Sequence, residues 1–262
     1  MTKKLLFSLL VLFVASNLYS LEVDEKEIKS TSNTTIEFIN YTGPHKVIDS
    51  LDAIKGIGKS LGNEIAPNSL NPKTANIANK YTVIHAVDQN ETGKYDADII
   101  LINKDATVDH INNLRHIISS YLVSAYDYSE ADANTLAVFI TVYNAVYRGD
   151  LDTFSRKYKN VVTKNLSKSN CGLSVNYKDW PGASEIVIPL FDIENGGLST
   201  IETSVISDKK VVESMKEDDD KNIDSRKEMV DIKEREAEKS QEKAKESQKK
   251  AVKKKKKLKE EK

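Results

Sequence analysis

The sequence has 262 residues, with 39 Lys and Arg against 40 Asp and Glu and a formal net charge of -1. That balance conceals three blocks: residues 1–20 carry +2, residues 21–206 carry -7 and residues 207–262 carry +4. All 18 aromatic residues precede residue 207 and there is one cysteine, which excludes a polytopic membrane protein, a disulfide scaffold and a wholly disordered chain.

Residues 1–20, MTKKLLFSLLVLFVASNLYS, read as a signal peptide. Lys3 and Lys4 precede an uncharged run from Leu5 to Ala15, and small residues follow at Ala15, Ser16 and Ser20. A membrane span needs about 20 apolar residues, and this run is shorter. Cleavage is expected after Ser20, with Ser16 as the alternative, leaving no transmembrane span in the mature chain.

Residues 21–206 alone can build a packed core, and at 186 residues they are long enough for one globular domain or two small ones. Residues 35–40 (TIEFIN) alternate and run into the turn signal TGP, which predicts a strand. Val47, Ile48, Leu51 and Ile54 recur at helical spacing. The apolar runs Tyr81–Val87 and Ala97–Ile102, divided by a polar stretch, predict neighbouring strands. A helix follows with Val108, Ile111, Leu114, Ile117, Ile118, Tyr121, Leu122 and Ala125 on one face and Asp105 or Thr107 as its N-cap. Ser129 and Asp132 resemble a capping box, and Leu136 to Tyr147 is apolar nearly all round, predicting a central buried helix. Arg148 and Gly149 supply its C-terminal cation and stop. Leu151, Phe154, Tyr158 and Val161 predict a third helix, and Ile186–Leu190 a final strand. Strands and helices mix without regular alternation, so the expected fold class is α+β: a small mixed sheet packed with three to four helices.

Residues 207–262 read as a charged low-complexity tail, partly helical or disordered. Ile223, Val230, Ala237, Ala244, Ala251 and Leu258 recur every seven residues, but their companion positions are polar, so a stable two-stranded coil is not expected. A single solvated helix from about residue 225 is. Lys253, Lys254, Lys255, Lys256 and Lys257 form a polybasic end suited to anionic lipid or an acidic envelope polymer, at roughly 1 kcal/mol per Lys near a charged membrane.

Several motifs tempt a chemical reading. AIKGIGKS (53–60) fits a relaxed P-loop, yet the residues before it have helical and not strand periodicity; its IKGIG core also resembles a helix-hairpin-helix turn. An exported acidic domain is a poor nucleic-acid partner, so no nucleic acid is expected and Gly56, Gly58 and Gly62 are read as packing or bend positions. Asp88, Asn90, Thr92, Gly93, Asp96 and Asp98 nearly spell a calcium loop, but the twelfth position is Ile99 instead of a bidentate Glu. Arg148-Gly149-Asp150 is an integrin-type tripeptide lying against a helix end. His45, His85, His110 and His116 lack metal spacing, and Cys171 reads as a small residue in a turn. No catalytic residue, metal or cofactor is nominated.

EFINYTGP (37–44), GIGKSL (56–61), NLRHI (113–117), TVYNAVYRGDLD (141–152) and W-x-G followed by IVIPL (180–190) occur in this order. Together they resemble the N-terminal domain of the spirochaetal 83/100-kilodalton antigen family, known from Borrelia, over roughly residues 1–205 plus the onset of the tail. The resemblance implies an exported cell-envelope antigen, periplasmic or surface-exposed, of unassigned biochemical role and with no catalytic residues to carry over. It also implies a longer charged region and a β-rich C-terminal domain, whereas this sequence ends at Lys262. The expected function is a non-enzymatic envelope antigen whose tail is a spacer or polyanion tether. The alternatives are a ligand-binding or hydrolytic module with a site not visible in sequence, and a surface adhesin.

Overall fold

The computed structural model describes residues 35–43, 50–65, 71–191 and 201–216, together with residues 228, 229, 231, 232, 234 and 235. The signal peptide, Val47, Ile48 and the polybasic end lie outside the described residues. The two apolar runs become adjacent antiparallel strands, β2 (Tyr81–Ala86) and β3 (Asp96–Ile102), with His85 opposite Asp98. β1 (Lys73–Ile77) pairs antiparallel with β2, and β4 (Ser184–Leu190) with β3, giving a four-stranded sheet in the order β1-β2-β3-β4. Seven helices accompany it among the described residues, confirming an α+β fold.

Three helices are long. α1 (Leu51–Ile65) starts after Ser50, whose Oγ accepts from Ala53 N at 3.2 Å. α2 (Ile111–Tyr126) is capped by His110, whose Nδ1 accepts from Asn112 N at 3.1 Å, so neither Asp105 nor Thr107 is the N-cap. α3 (Glu130–Val146) begins at Ser129, whose Oγ accepts from Asp132 N at 3.1 Å, as its sequence predicts, and is buried nearly all round from Leu136 to Ala145.

GIGKSLG lies inside α1, so the glycines make a helix contact and no phosphate loop. A Cβ on Gly58 would sit 2.0 Å from Ile117 O, and one on Gly62 2.8 Å from Tyr121 O. Bare glycines one turn apart let the backbones of α1 and α2 touch.

Two further expectations are corrected. Residues 35–40 do not join the sheet. They are extended, pairing through the single bridge Ile39–Asn176, with Ile36 N donating to Ser214 O at 2.7 Å. The predicted third helix breaks at Tyr158: α4 (Leu151–Lys157) ends there and α5 (Asn160–Thr163) follows. Tyr158 instead bridges Tyr95, with Tyr95 N donating to Lys157 O and Lys159 N to Tyr95 O, both at 3.0 Å. The backbone pairing with Tyr95 and the bonds of Lys159 to Asp96 and Asp88 O stand in place of helix continuation. The packed core also runs past residue 206, through α6 (Thr203–Ile206) and α7 (Lys209–Ser214), with Val211, Val212, Met215, Met229 and Ile232 buried. These aliphatic side chains recur at helical spacing within a strongly charged stretch, which average composition hides.

β4 is an edge strand whose outer groups are satisfied one after another. Glu185 N donates to Asn170 O, and Gly172 N to Glu185 O, both at 2.9 Å. The buried Asn144 of α3 accepts from Val187 N and donates to Val187 O, each at 2.8 Å, so one amide stands in for a neighbouring strand. Pro189 has no N–H to satisfy, and its carbonyl accepts from Glu202 N at 2.9 Å.

Candidate functional site

Ionisable residues inside apolar strand runs are the sequence feature with the strongest chemical potential here. His85 and Asp98 face each other across β2 and β3, both with no exposed side-chain surface. His85 Nδ1 lies 2.6 Å from Asp98 Oδ1. The hydroxyls of Tyr121 and Tyr126, both from α2, donate to Asp98 Oδ2. A carboxylate only accepts, so Nδ1 carries the proton and Asp98 gathers three donors. Burial first, and then the Asp98 charge, holds both phenols well above their ordinary pKa.

A second ionic pair lies two residues back on β3. Lys159 Nζ, fully buried, donates to Asp96 Oδ2 at 2.9 Å and to Asp88 O at 2.7 Å. Asp96 Oδ1 accepts from Asp88 N at 2.9 Å, and Asp88 Oδ1 from Asn90 N at 2.9 Å. The near-calcium loop is therefore organised around an ammonium group. Asp98, its last carboxylate, belongs to the histidine cluster instead. Among the described residues no group of three or more His, Cys, Asp or Glu is placed to hold a metal.

A His–Asp pair is the base-and-orienter half of an acyl-transfer triad, which also needs a nucleophile and a route for substrate. Here both members are sealed between the sheet and α2. The arrangement fixes the helix to the sheet centre by charge-assisted hydrogen bonds.

The other motifs are also drawn into the fold. Arg148 Nη1 donates to Asn170 O at 2.6 Å and Gly172 O at 3.0 Å, while Gly149 takes φ 75°. Asp150 caps α4, accepting from Thr153 N at 3.0 Å and Thr153 Oγ1 at 2.7 Å. Those bonds hold its carboxyl below the ordinary value. Both charged ends of the tripeptide thus have internal partners. Cys171 is buried beside β4, bridging Glu185, and burial pushes its thiol pKa up. His110 is a helix cap, and desolvation on α2 lowers the pKa of His116. Lys253, Lys254, Lys255, Lys256 and Lys257 lie outside the described residues.

The family model of the Borrelia P83/100 protein matches residues 25–262. The chain belongs to that family. Membership makes it an antigen-type spirochaetal protein, as the resemblance implied. No curated protein and no solved structure matches it. Within the stretch of this P83/100-family chain from Thr141 to Asp152, three polar residues have structural roles: Asn144 pairs β4, Arg148 binds the 170–172 turn and Asp150 starts α4. Among the described residues no helix is long and apolar enough to cross a membrane.

Proposed function

We propose that this P83/100-family protein is an exported, non-enzymatic cell-envelope antigen whose charged tail is a spacer or polyanion tether for its α+β domain. The observation that carries the reading is the segregation of charge. Residues 21–206 carry -7, whereas residues 249–262 hold nine Lys against two Glu. A negatively charged envelope surface repels the first and attracts the second. The sealed state of His85 and Asp98 supports a structural use for the residue pair that looks most catalytic.

The test is flotation of the purified mature chain with vesicles containing phosphatidylglycerol. Binding at low salt, lost at high salt and lost when Lys253 to Lys257 are all replaced by Glu, is expected. Equal flotation of both proteins, or none by either, would overturn the tether.

A further inference from the structure

Composition marks everything after residue 206 as tail, yet five of its described apolar residues are buried, two of them beyond residue 216. Met229 is 2% exposed and Ile232 1%, and both join the domain's core cluster. Three residues apart, they occupy one side of a helical turn. Polar contacts bracket them. Thr135 Oγ1 donates to Glu228 Oε2 at 2.6 Å, and Arg235 Nη2 pairs with Asp132 Oδ1 at 2.5 Å. Both partners belong to the first two turns of α3. Residue 228 meets 135 and residue 235 meets 132, so the segment runs antiparallel to α3.

In the sequence, Glu236 and Lys239 follow Ile232 by four and seven residues, and Ser225 and Arg226 precede Met229 by four and three, so no apolar residue stands at these spacings. A two-residue anchor closed at each end by a polar contact is a bounded docking element, unlike the start of a long coiled-coil seam.

We propose that residues 228–235 are a clasp that fastens the root of the charged tail to α3, with this chain's own segment as the occupant of that face. A pull or ligand on the lysine-rich end of the chain is then delivered to the N-terminal half of α3. The clasp stands whether or not the tail binds anionic vesicles.

The experiment uses the full mature chain. Met229→Asp with Ile232→Asp should lower Tm by about 5–10 °C. The same pair should speed amide exchange in the first turns of α3 at least about tenfold. Lys239→Asp should change neither. Should the double aspartate variant not fold, Met229→Ala with Ile232→Ala gives the same readouts. Unchanged melting and exchange would overturn the clasp. In a second arm, Glu228→Cys with Thr135→Cys should oxidise to a disulfide within one molecule; a crosslink formed only between two chains would assign the face to a second copy and overturn the proposal.

Discussion

At the scale of single residues, Asp98 holds the most consequential position. It is the shared acceptor of His85, Tyr121 and Tyr126 and has no exposed side-chain surface, so removing it takes that acceptor from three donors. Asp98→Ala should cost about 3–5 kcal/mol, the range for breaking a buried charged network by deleting one partner. Asp98→Asn keeps an acceptor oxygen and should cost less. Urea unfolding of the three proteins measures the order, and equal stability of Asp98→Ala and the parent would refute a structural role. The sequence carried only half of this site. A histidine in YTVIHAV and an aspartate in DADIILI are conspicuous among apolar neighbours, and burial without a partner is costly. Their pairing depends on strand register and on two tyrosines from α2, and register is a tertiary property. Metal spacing was the wrong test for His85, because its partner arrives from another strand.

Among the elements, the α1–α2 contact yields a paired prediction within one helix. Gly56 has nothing within 4 Å of where a Cβ would sit, whereas Gly58 meets the backbone of α2. Gly56→Ala should therefore stabilise by about 0.5–1 kcal/mol through helix propensity. Gly58→Ala should destabilise by about 1–3 kcal/mol, because α2 must move away. Shifts of the same sign in the two denaturation midpoints would contradict this packing. The glycine spacing was legible as a packing signal, and the period of α2, α3, β2 and β3 as secondary structure, because each has an apolar face that the core needs. β1 was not legible. Its KTANI buries only Ala75, and its turn places Ala78 and Asn79 at φ 51° and 57° without a glycine. TIEFIN misled for the converse reason: it alternates well, but its backbone partners are Val175, Tyr177 and the end of α7. The α4–α5 break was hidden because Tyr158 fits a helical face, and only the partner Tyr95 shows why the chain turns extended there.

For the whole molecule, the buried phenols set an alkaline limit. Tyr121, Tyr143 and Tyr158 are fully buried, Tyr81 nearly so, and Tyr126 is buried with 8% of its surface exposed. Burial is the leading cause that raises each pKa, that of Tyr81 to about 12 and those of Tyr121, Tyr126 and Tyr158 well above the ordinary value. Tyr143 moves in the same direction. An unfolded chain ionises these groups near pH 10, while the folded chain keeps them protonated. The stability they contribute is therefore complete below about pH 10 and is lost as pH rises toward the folded-state values. Each group steepens the loss by up to about 1.4 kcal/mol per pH unit, so several acting together bring an abrupt transition. Tyrosinate absorbance should rise in one step that coincides with loss of the circular dichroism of the helices. Gradual ionisation of every tyrosine from pH 10 upward, with the fold intact, would show that the phenols are not sealed as the structure places them. Because Tyr121 and Tyr126 also hold Asp98, Tyr126→Phe should shift that transition and the urea midpoint together, tying alkaline stability to the same cluster that joins α2 to the sheet.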